Sequence, residues 1–123
     1  MEAQTTFSAL KDILLPYQPS FSTRTDTEET FYLEAKEHGT DHPDPMFFAS
    51  VQVKKRYVSF HLMPVYVNPA LLDPVSEPLR KRMQGKSCFN FTKVDETLFS
   101  ELAELTERGF ADYRERGLTE AKA

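Results

Sequence analysis

The sequence predicts a single α+β domain in which helices cover one face of an antiparallel sheet of about four strands. Four segments alternate apolar and polar residues at a period of two, and amphipathic helical patterns open and close the chain. The 123 residues suffice for one core. We expect residues 1–29 to form a helix and a loop that precede the body of the domain. Residues 30–117 should form that body, and residues 118–123 should be a frayed tail.

The first predicted element is a short helix from Thr6 to Leu15. Its apolar residues recur at helical spacing, and Pro16 and Pro19 prevent its continuation. Residues 17–30 carry Pro, Ser, Thr and Asp without periodicity, so they are expected to form a long surface connection.

The predicted strands are residues 30–36, 46–54, 57–63 and 87–92. A short turn at Lys55 and Arg56 joins the second and third of them, which favours an antiparallel hairpin and a meander. The segment between the first and second strands, residues 37–45, is dense in Gly, Pro and Asp and reads as a loop.

Three helical segments follow the hairpin. Pro69 to Leu72 suits a single turn, and a short helix begins at Pro78 and ends at Gly85. The last helix is the clearest, since Asp95 is placed to cap a segment that runs to about Arg116, and Gly117 ends it.

The strand alternation sorts side chains onto two faces. The apolar face, which helices must cover, comprises Phe31, Leu33, Ala35, Phe47, Ala49, Val51, Val53, Val58, Phe60, Leu62, Phe89 and Phe91. The mixed polar and aromatic face comprises Tyr32, Glu34, Lys36, Phe48, Ser50, Gln52, Lys54, Tyr57, Ser59, His61, Met63, Cys88 and Asn90.

The mixed face has two interpretations. An antiparallel sheet can leave such a face in water. However, Tyr32, Phe48, Tyr57 and Met63 together would form an apolar patch, which is typical of a ligand groove, a partner surface or a homodimer interface.

Composition and charge exclude several classes of protein. The chain has 15 Lys and Arg against 19 Asp and Glu, a net charge of −4, which argues against general nucleic-acid binding. No apolar run is long enough to cross a membrane, and the polar N-terminus does not resemble a secretory signal. Cys88 is the only cysteine, so no internal disulfide can form and a cytoplasmic location is expected.

Three segments resemble the YdhG-like bacterial domain of unknown function. They are Tyr57-Val58-Ser59-Phe60-His61, Met83-Gln84-Gly85-Lys86-Ser87-Cys88-Phe89-Asn90-Phe91 and the helix from Asp95 to Arg116, so the resemblance covers about residues 30–117. It implies a small cytoplasmic α+β domain. One branch of that family is described as frataxin-like iron chaperones, so the resemblance also implies a role in holding or delivering iron; any other cofactor is unknown.

Iron that is bound transiently favours oxygen ligands in an open site. Glu101, Glu104 and Glu107 recur at spacings of three on the last helix and are the candidate iron ligands. The same pattern is typical of a solvated helix face, stabilised by pairs such as Glu104 with Arg108.

A second group of residues that could bind a metal lies in the predicted loop 37–45. It comprises His38, Asp41, His42 and Asp44. Their spacing matches no recognised metal motif, and turn composition alone accounts for them.

The alternative function is binding of a small molecule or a protein partner by the mixed face, in a protein that we expect to be a homodimer. The candidate ligand-binding residues are Tyr57, Ser59, His61 and Cys88. Cys88 and His61 would form a nucleophilic pair only if their strands are neighbours. Because the sequence presents no further acid and no oxyanion loop, we expect a binding protein rather than an enzyme.

Charge is unevenly distributed along the chain. Residues 54–93 contain eight Lys and Arg and two acidic residues, so this segment can attract an anionic partner. The sequence leaves open whether the hairpin turn and the short helix that carry these charges lie close together.

Overall fold

The computed structural model describes residues 2–35 and 46–119 and confirms an α+β fold with a fully antiparallel sheet. The helices are α1 Ala3–Leu14, α2 Met63–Val67, α3 Glu77–Arg80 and α4 Glu96–Glu115, with 3-10 helices at Leu15–Ser20 and Pro69–Leu72. The strands are β1 Ser22–Asp26, β2 Thr30–Glu34, β3 Phe47–Val53, β4 Val58–Leu62, β5 Met83–Gln84 and β6 Cys88–Phe91.

The sheet has six strands in the order β1-β2-β3-β4-β6-β5, two more than predicted. The four predicted strands are the central ones, and both missed strands lie at the edges. β1 consists of polar residues and stays largely exposed, so it shows no apolar alternation. The segment of β5 had been predicted to end a helix, but α3 stops at Arg80 and two extended residues follow it.

The core lies between one face of the sheet and helices α1 and α4. α1 contributes Phe7, Leu10 and Leu14, and α4 contributes residues such as Leu102 and Leu105; all five are at most 4% exposed. The predicted apolar face is confirmed for nearly all of its members. We call the opposite side of the sheet the open face.

A β-bulge in β3 makes the predicted faces of Phe47 and Phe48 wrong. Leu33 pairs with Ala49, but the next residue, Glu34, pairs with Phe47, so Phe48 is an extra residue on β3. Phe48 is fully buried and stacks on Phe21 with ring centroids 4.2 Å apart. Phe47 instead lies on the open face. Met63, also assigned to that face, begins α2.

The bulge is tied to α4 by a hydrogen bond. The hydroxyl of the buried Tyr113 donates to the backbone carbonyl of Phe47 over 2.6 Å. Because burial raises the pKa of Tyr113, its hydroxyl stays protonated and remains a donor at neutral pH.

Both predicted ends of the last helix are confirmed. The Asp95 carboxylate accepts a hydrogen bond from Leu98 N over 3.1 Å, and Gly117 follows the helix with φ +77°. Leu118 N donates to Tyr113 O, and Thr119 is buried, so these two residues of the expected frayed tail are packed. The remainder of that tail lies outside the described residues.

α4 approaches α2 closely at Gly109. A Cβ atom on Gly109 would lie 2.9 Å from Cβ and 3.1 Å from Cγ of Pro64. Glycine at this position therefore allows the two helices to meet.

We predict that Gly109→Ala destabilises the protein by up to about 2 kcal/mol in urea unfolding. Overpacking costs about 1–3 kcal/mol, while the better helix propensity of alanine returns about 1 kcal/mol. Combining it with Pro64→Gly removes both the Cβ and the Cγ atom that an alanine would meet, so the loss caused by Gly109→Ala should shrink in that background. A stabilising effect of Gly109→Ala would contradict the close contact.

We predict that Tyr113→Phe costs about 1–3 kcal/mol, because the Phe47 carbonyl loses its donor. Chemical-shift changes in two-dimensional NMR spectra should extend to Phe47 and its ring neighbours on the open face. Tyr17→Phe is the matched control, since Tyr17 packs on Phe48 and Phe110 while its hydroxyl bonds no other described residue. Equal losses in the two variants would show that the hydrogen bond does not hold the bulge.

Candidate functional site

Two rows of side chains cross the open face, as the strand register shows. Because antiparallel partners project to the same side, each row is continuous from strand to strand. The first row is Thr25, Tyr32, Ser50, His61, Cys88 and Gln84. The second row is Thr30, Gln52, Ser59 and Asn90.

The structure brings the four predicted ligand-binding residues onto this face. Tyr57, Ser59 and His61 alternate along β4 and the residue before it, and Cys88 pairs directly with His61. Leu62 N donates to Ser87 O over 2.9 Å. The adjacent pair, His61 with Cys88, is therefore of the non-hydrogen-bonded type, in which Cα atoms lie about 4.5 Å apart and side chains are closest.

An aromatic cluster covers one half of the open face. The ring centroid of Phe47 lies 4.7 Å from that of Tyr32 and 4.6 Å from that of His61. Ser50 pairs with both Tyr32 and His61 and is only 1% exposed. Its hydroxyl, beneath the cluster, has no hydrogen-bond partner in the described part of the chain.

The cluster leaves less apolar surface than the sequence predicted. Phe48 lies in the core, and Met63 lies in a helix. In residues 2–35 and 46–119, the exposed large apolar side chains are Leu15 at 39% and Tyr66 at 56%, both away from this face.

The other half of the open face is polar. Asn90 Nδ2 donates to Gln84 Oε1 over 2.6 Å, but the buried Oδ1 of Asn90 has no partner among the described residues. Ser59, which pairs with Asn90, is 8% exposed. An unsatisfied buried polar atom costs about 1–3 kcal/mol, so such atoms are usually met by water or a ligand.

The centre of the open face lacks fixed charge. Neither row contains Lys, Arg, Asp or Glu. Burial lowers the pKa of His61, so its imidazole is neutral at pH 7 and offers one donor and one acceptor. Charged residues flank this centre. Arg24 and Glu34 form an ion pair of 3.4 Å at the β1–β2 edge. Lys54 lies opposite Tyr57 and Arg82 lies opposite Asn90, each joined to its partner by a backbone hydrogen bond.

The three predicted iron ligands occupy different surroundings. Glu101 accepts hydrogen bonds of 2.6 Å from both N and Oγ of Ser76, which fixes the start of α3 against α4. Glu104 and Glu107 are exposed and line a cleft of about 430 Å³ between α1 and α4. Arg108, expected to pair with Glu104, donates instead to Leu71 O.

No group of three His, Cys, Asp or Glu residues within the described ranges is arranged to hold a metal ion. The loop residues His38, Asp41, His42 and Asp44, like Lys36, lie outside the described residues. Iron binding therefore remains a prediction.

Comparison with protein-family models, curated proteins and solved structures finds no match for this chain. The resemblance to the YdhG-like domain accordingly stays a prediction. Among the helices that the structure describes, none has the length and apolar character required to cross a membrane.

Sequence reasoning missed Phe47 as a member of this site. Its neighbours Ser50 and Asn90 were assigned to the correct face, but nothing in the alternation singled them out. The signal for Phe47 was the run Met46-Phe47-Phe48, in which adjacent apolar residues break the period of two, as happens at a bulge.

We predict that acidification destabilises the protein through His61. Because burial lowers the folded-state pKa of His61 below 6.5, the unfolded chain takes up a proton first. The stability that the folded protein gains from a neutral His61 is fully present above the unfolded-state pKa, and it is lost as pH falls through the folded-state pKa.

The test compares unfolding free energies of the wild type and His61→Gln at about pH 7.5 and about pH 5.5. The fall on acidification should be smaller in His61→Gln, and NMR titration should place the His61 pKa below that of a model peptide. Identical pH dependence in the two proteins would contradict the assignment.

Proposed function

We propose that this protein is a cytoplasmic binding protein that holds an uncharged small molecule on the open face. The ligand contacts His61, Cys88 and Asn90, carries a planar ring and offers hydrogen-bond donors and acceptors. The observation that carries the proposal is the unpartnered, buried Oδ1 of Asn90 beside a row without charged residues.

Each contact follows from the chemistry of the side chain. Asn90 Oδ1 accepts a hydrogen bond, whereas the neutral His61 imidazole offers one donor and one acceptor. The ring of His61, already packed edge-on against Phe47 at 65°, presents an apolar surface to a planar group. Ser59 and Tyr57 extend the polar side of the site along β4.

A small molecule fits this face better than a second copy of the chain. A stable protein interface buries about 800 Å² per partner around an apolar centre. Here the aromatic side chains pack against one another, and Phe48, one of the four residues expected to form an apolar patch on this face, lies in the core. What remains for a ligand is a compact polar area beside the rings.

The single cysteine provides a direct assay. Cys88 is half-buried and lies next to His61, so a disulfide reagent such as dithiobis-nitrobenzoate labels one position within the site. We predict that neutral heteroaromatic probes, namely nicotinamide, adenine and benzamide, slow the labelling of Cys88 in a saturable manner. Benzoate is the charged counterpart of benzamide and should protect less, because its carboxylate has no N–H to donate to Asn90 Oδ1.

Variants locate the site. Asn90→Ala and His61→Ala should each weaken the affinity for the protecting probe roughly tenfold to a hundredfold, as expected for losing a hydrogen bond worth about 1–3 kcal/mol. Glu104→Gln is the control and should leave protection unchanged. Absence of protection by all three probes, or protection insensitive to Asn90→Ala and His61→Ala, would refute the proposal.

The same variants separate this function from iron handling. Binding of ferrous iron by the carboxylates of α4 requires that Glu104→Gln weakens a calorimetric titration and that His61→Ala does not. The two hypotheses therefore give opposite patterns with one set of proteins.

A further inference from the structure

The most exposed large apolar side chain in the described ranges is Tyr66, and it borders a second cleft. Tyr66 is 56% exposed, and the cleft has a volume of about 430 Å³. Its lining includes Val65, Tyr66, Pro69, Leu72, Met83 and Lys86, and we call it the Tyr66 groove. It lies between β5, at the edge of the sheet, and the segment that begins with α2.

The backbone of β5 is available at this edge. Asn90 N donates to Arg82 O over 2.9 Å, and Gln84 pairs with Cys88. Because alternate residues of an antiparallel strand direct their backbone groups to opposite sides, the N–H and C=O of Met83 point away from β6. An extended peptide can therefore pair with Met83 and extend the sheet.

The surroundings of the groove are basic although the whole chain is acidic. Arg80 donates hydrogen bonds to Leu72 O and Val75 O, which fixes its guanidinium beside the groove. Lys81, Arg82 and Lys86 are exposed, and their side chains form no hydrogen bond or ion pair with another residue that the structure describes. The acidic residues within 54–93 are Asp73 and Glu77 alone.

We infer that the Tyr66 groove docks an acidic peptide segment in extended conformation, with one apolar side chain as its anchor. Met83 supplies the backbone pairing, and Tyr66 and Leu72 contact the anchor. Lys86 and Arg80 attract the flanking carboxylates, so the occupant must be acidic rather than basic. Since β5 has only two residues, the paired stretch is short and the apolar anchor carries much of the affinity.

The test uses a fluorescein-labelled synthetic heptapeptide that has a central leucine flanked by aspartate and glutamate. Binding is followed by fluorescence anisotropy, beside one peptide with serine at the centre and one with lysine in place of the acids. The acidic leucine peptide should bind most tightly, and its affinity should fall as salt screens the charges.

Two variants test the groove, and each has a matched control. Tyr66→Ala and Lys86→Glu should raise the Kd at least about tenfold. Leu15→Ala removes the other exposed apolar side chain, and Lys55→Glu makes the same charge change at the β3–β4 turn; both should stay within about twofold of the wild type. Tyr66 and Lys86 are exposed, so circular dichroism should report folded proteins.

Several results would overturn the inference. They are equal binding of the lysine peptide, an equal loss in Lys55→Glu and Lys86→Glu, or amide shifts at His61 instead of Met83 in NMR titrations. Tighter binding of a single-stranded oligonucleotide than of the acidic peptide would assign the basic surface to nucleic acid instead. Because none of these readouts involves Cys88 protection, failure here is distinguishable from failure of the small-molecule site.

Discussion

The hydrogen bond from Tyr113 to the Phe47 carbonyl links the core, the sheet and the open face. It joins α4 to β3 at the residue before the bulge, where one extra residue changes which side chains face the helices. Downstream of it, Phe48 fills the core against Phe21, and upstream Phe47 turns outward to His61. Without the bulge, the two phenylalanines would exchange faces, so Phe48 would lose its packing on Phe21 and Phe47 its packing on His61.

The open face combines two opposing tendencies. Its rings pack together and exclude water from Ser50, although the Ser50 hydroxyl then lacks a partner. At the other end of the face, the Asn90 amide is only half satisfied, because Gln84 bonds Nδ2 and leaves Oδ1. Covering apolar rings is favourable, while each orphaned polar atom is costly, so the polar end is where a ligand has most to contribute. This argument places the ligand beside Cys88 and Asn90, not beneath Phe47.

Much of the fold was predictable, because the period of two along β2, β3, β4 and β6 and the capped α4 are local patterns. The shared face of Tyr57, Ser59 and His61 followed from the same alternation. Strand order was not predictable, since the pairing of His61 with Cys88 depends on which strands meet. The edge strand β1 is exposed and polar, and β5 has only two residues, so neither shows apolar periodicity. The role of Glu101 in holding Ser76 depends on a contact between residues distant in sequence.

Adjacent residues of β5 serve the two proposed surfaces. Met83 lines the Tyr66 groove and turns its backbone outward, whereas Gln84 points to the open face and bonds Asn90. A peptide paired with Met83 would hold β5 in place and with it the acceptor that orients the Asn90 amide. If docking changes the affinity of a ligand at Asn90, that ligand must change the affinity of the peptide by the same factor. The two-residue strand is therefore the physical route by which a neutral site and a basic groove on this small domain can influence each other.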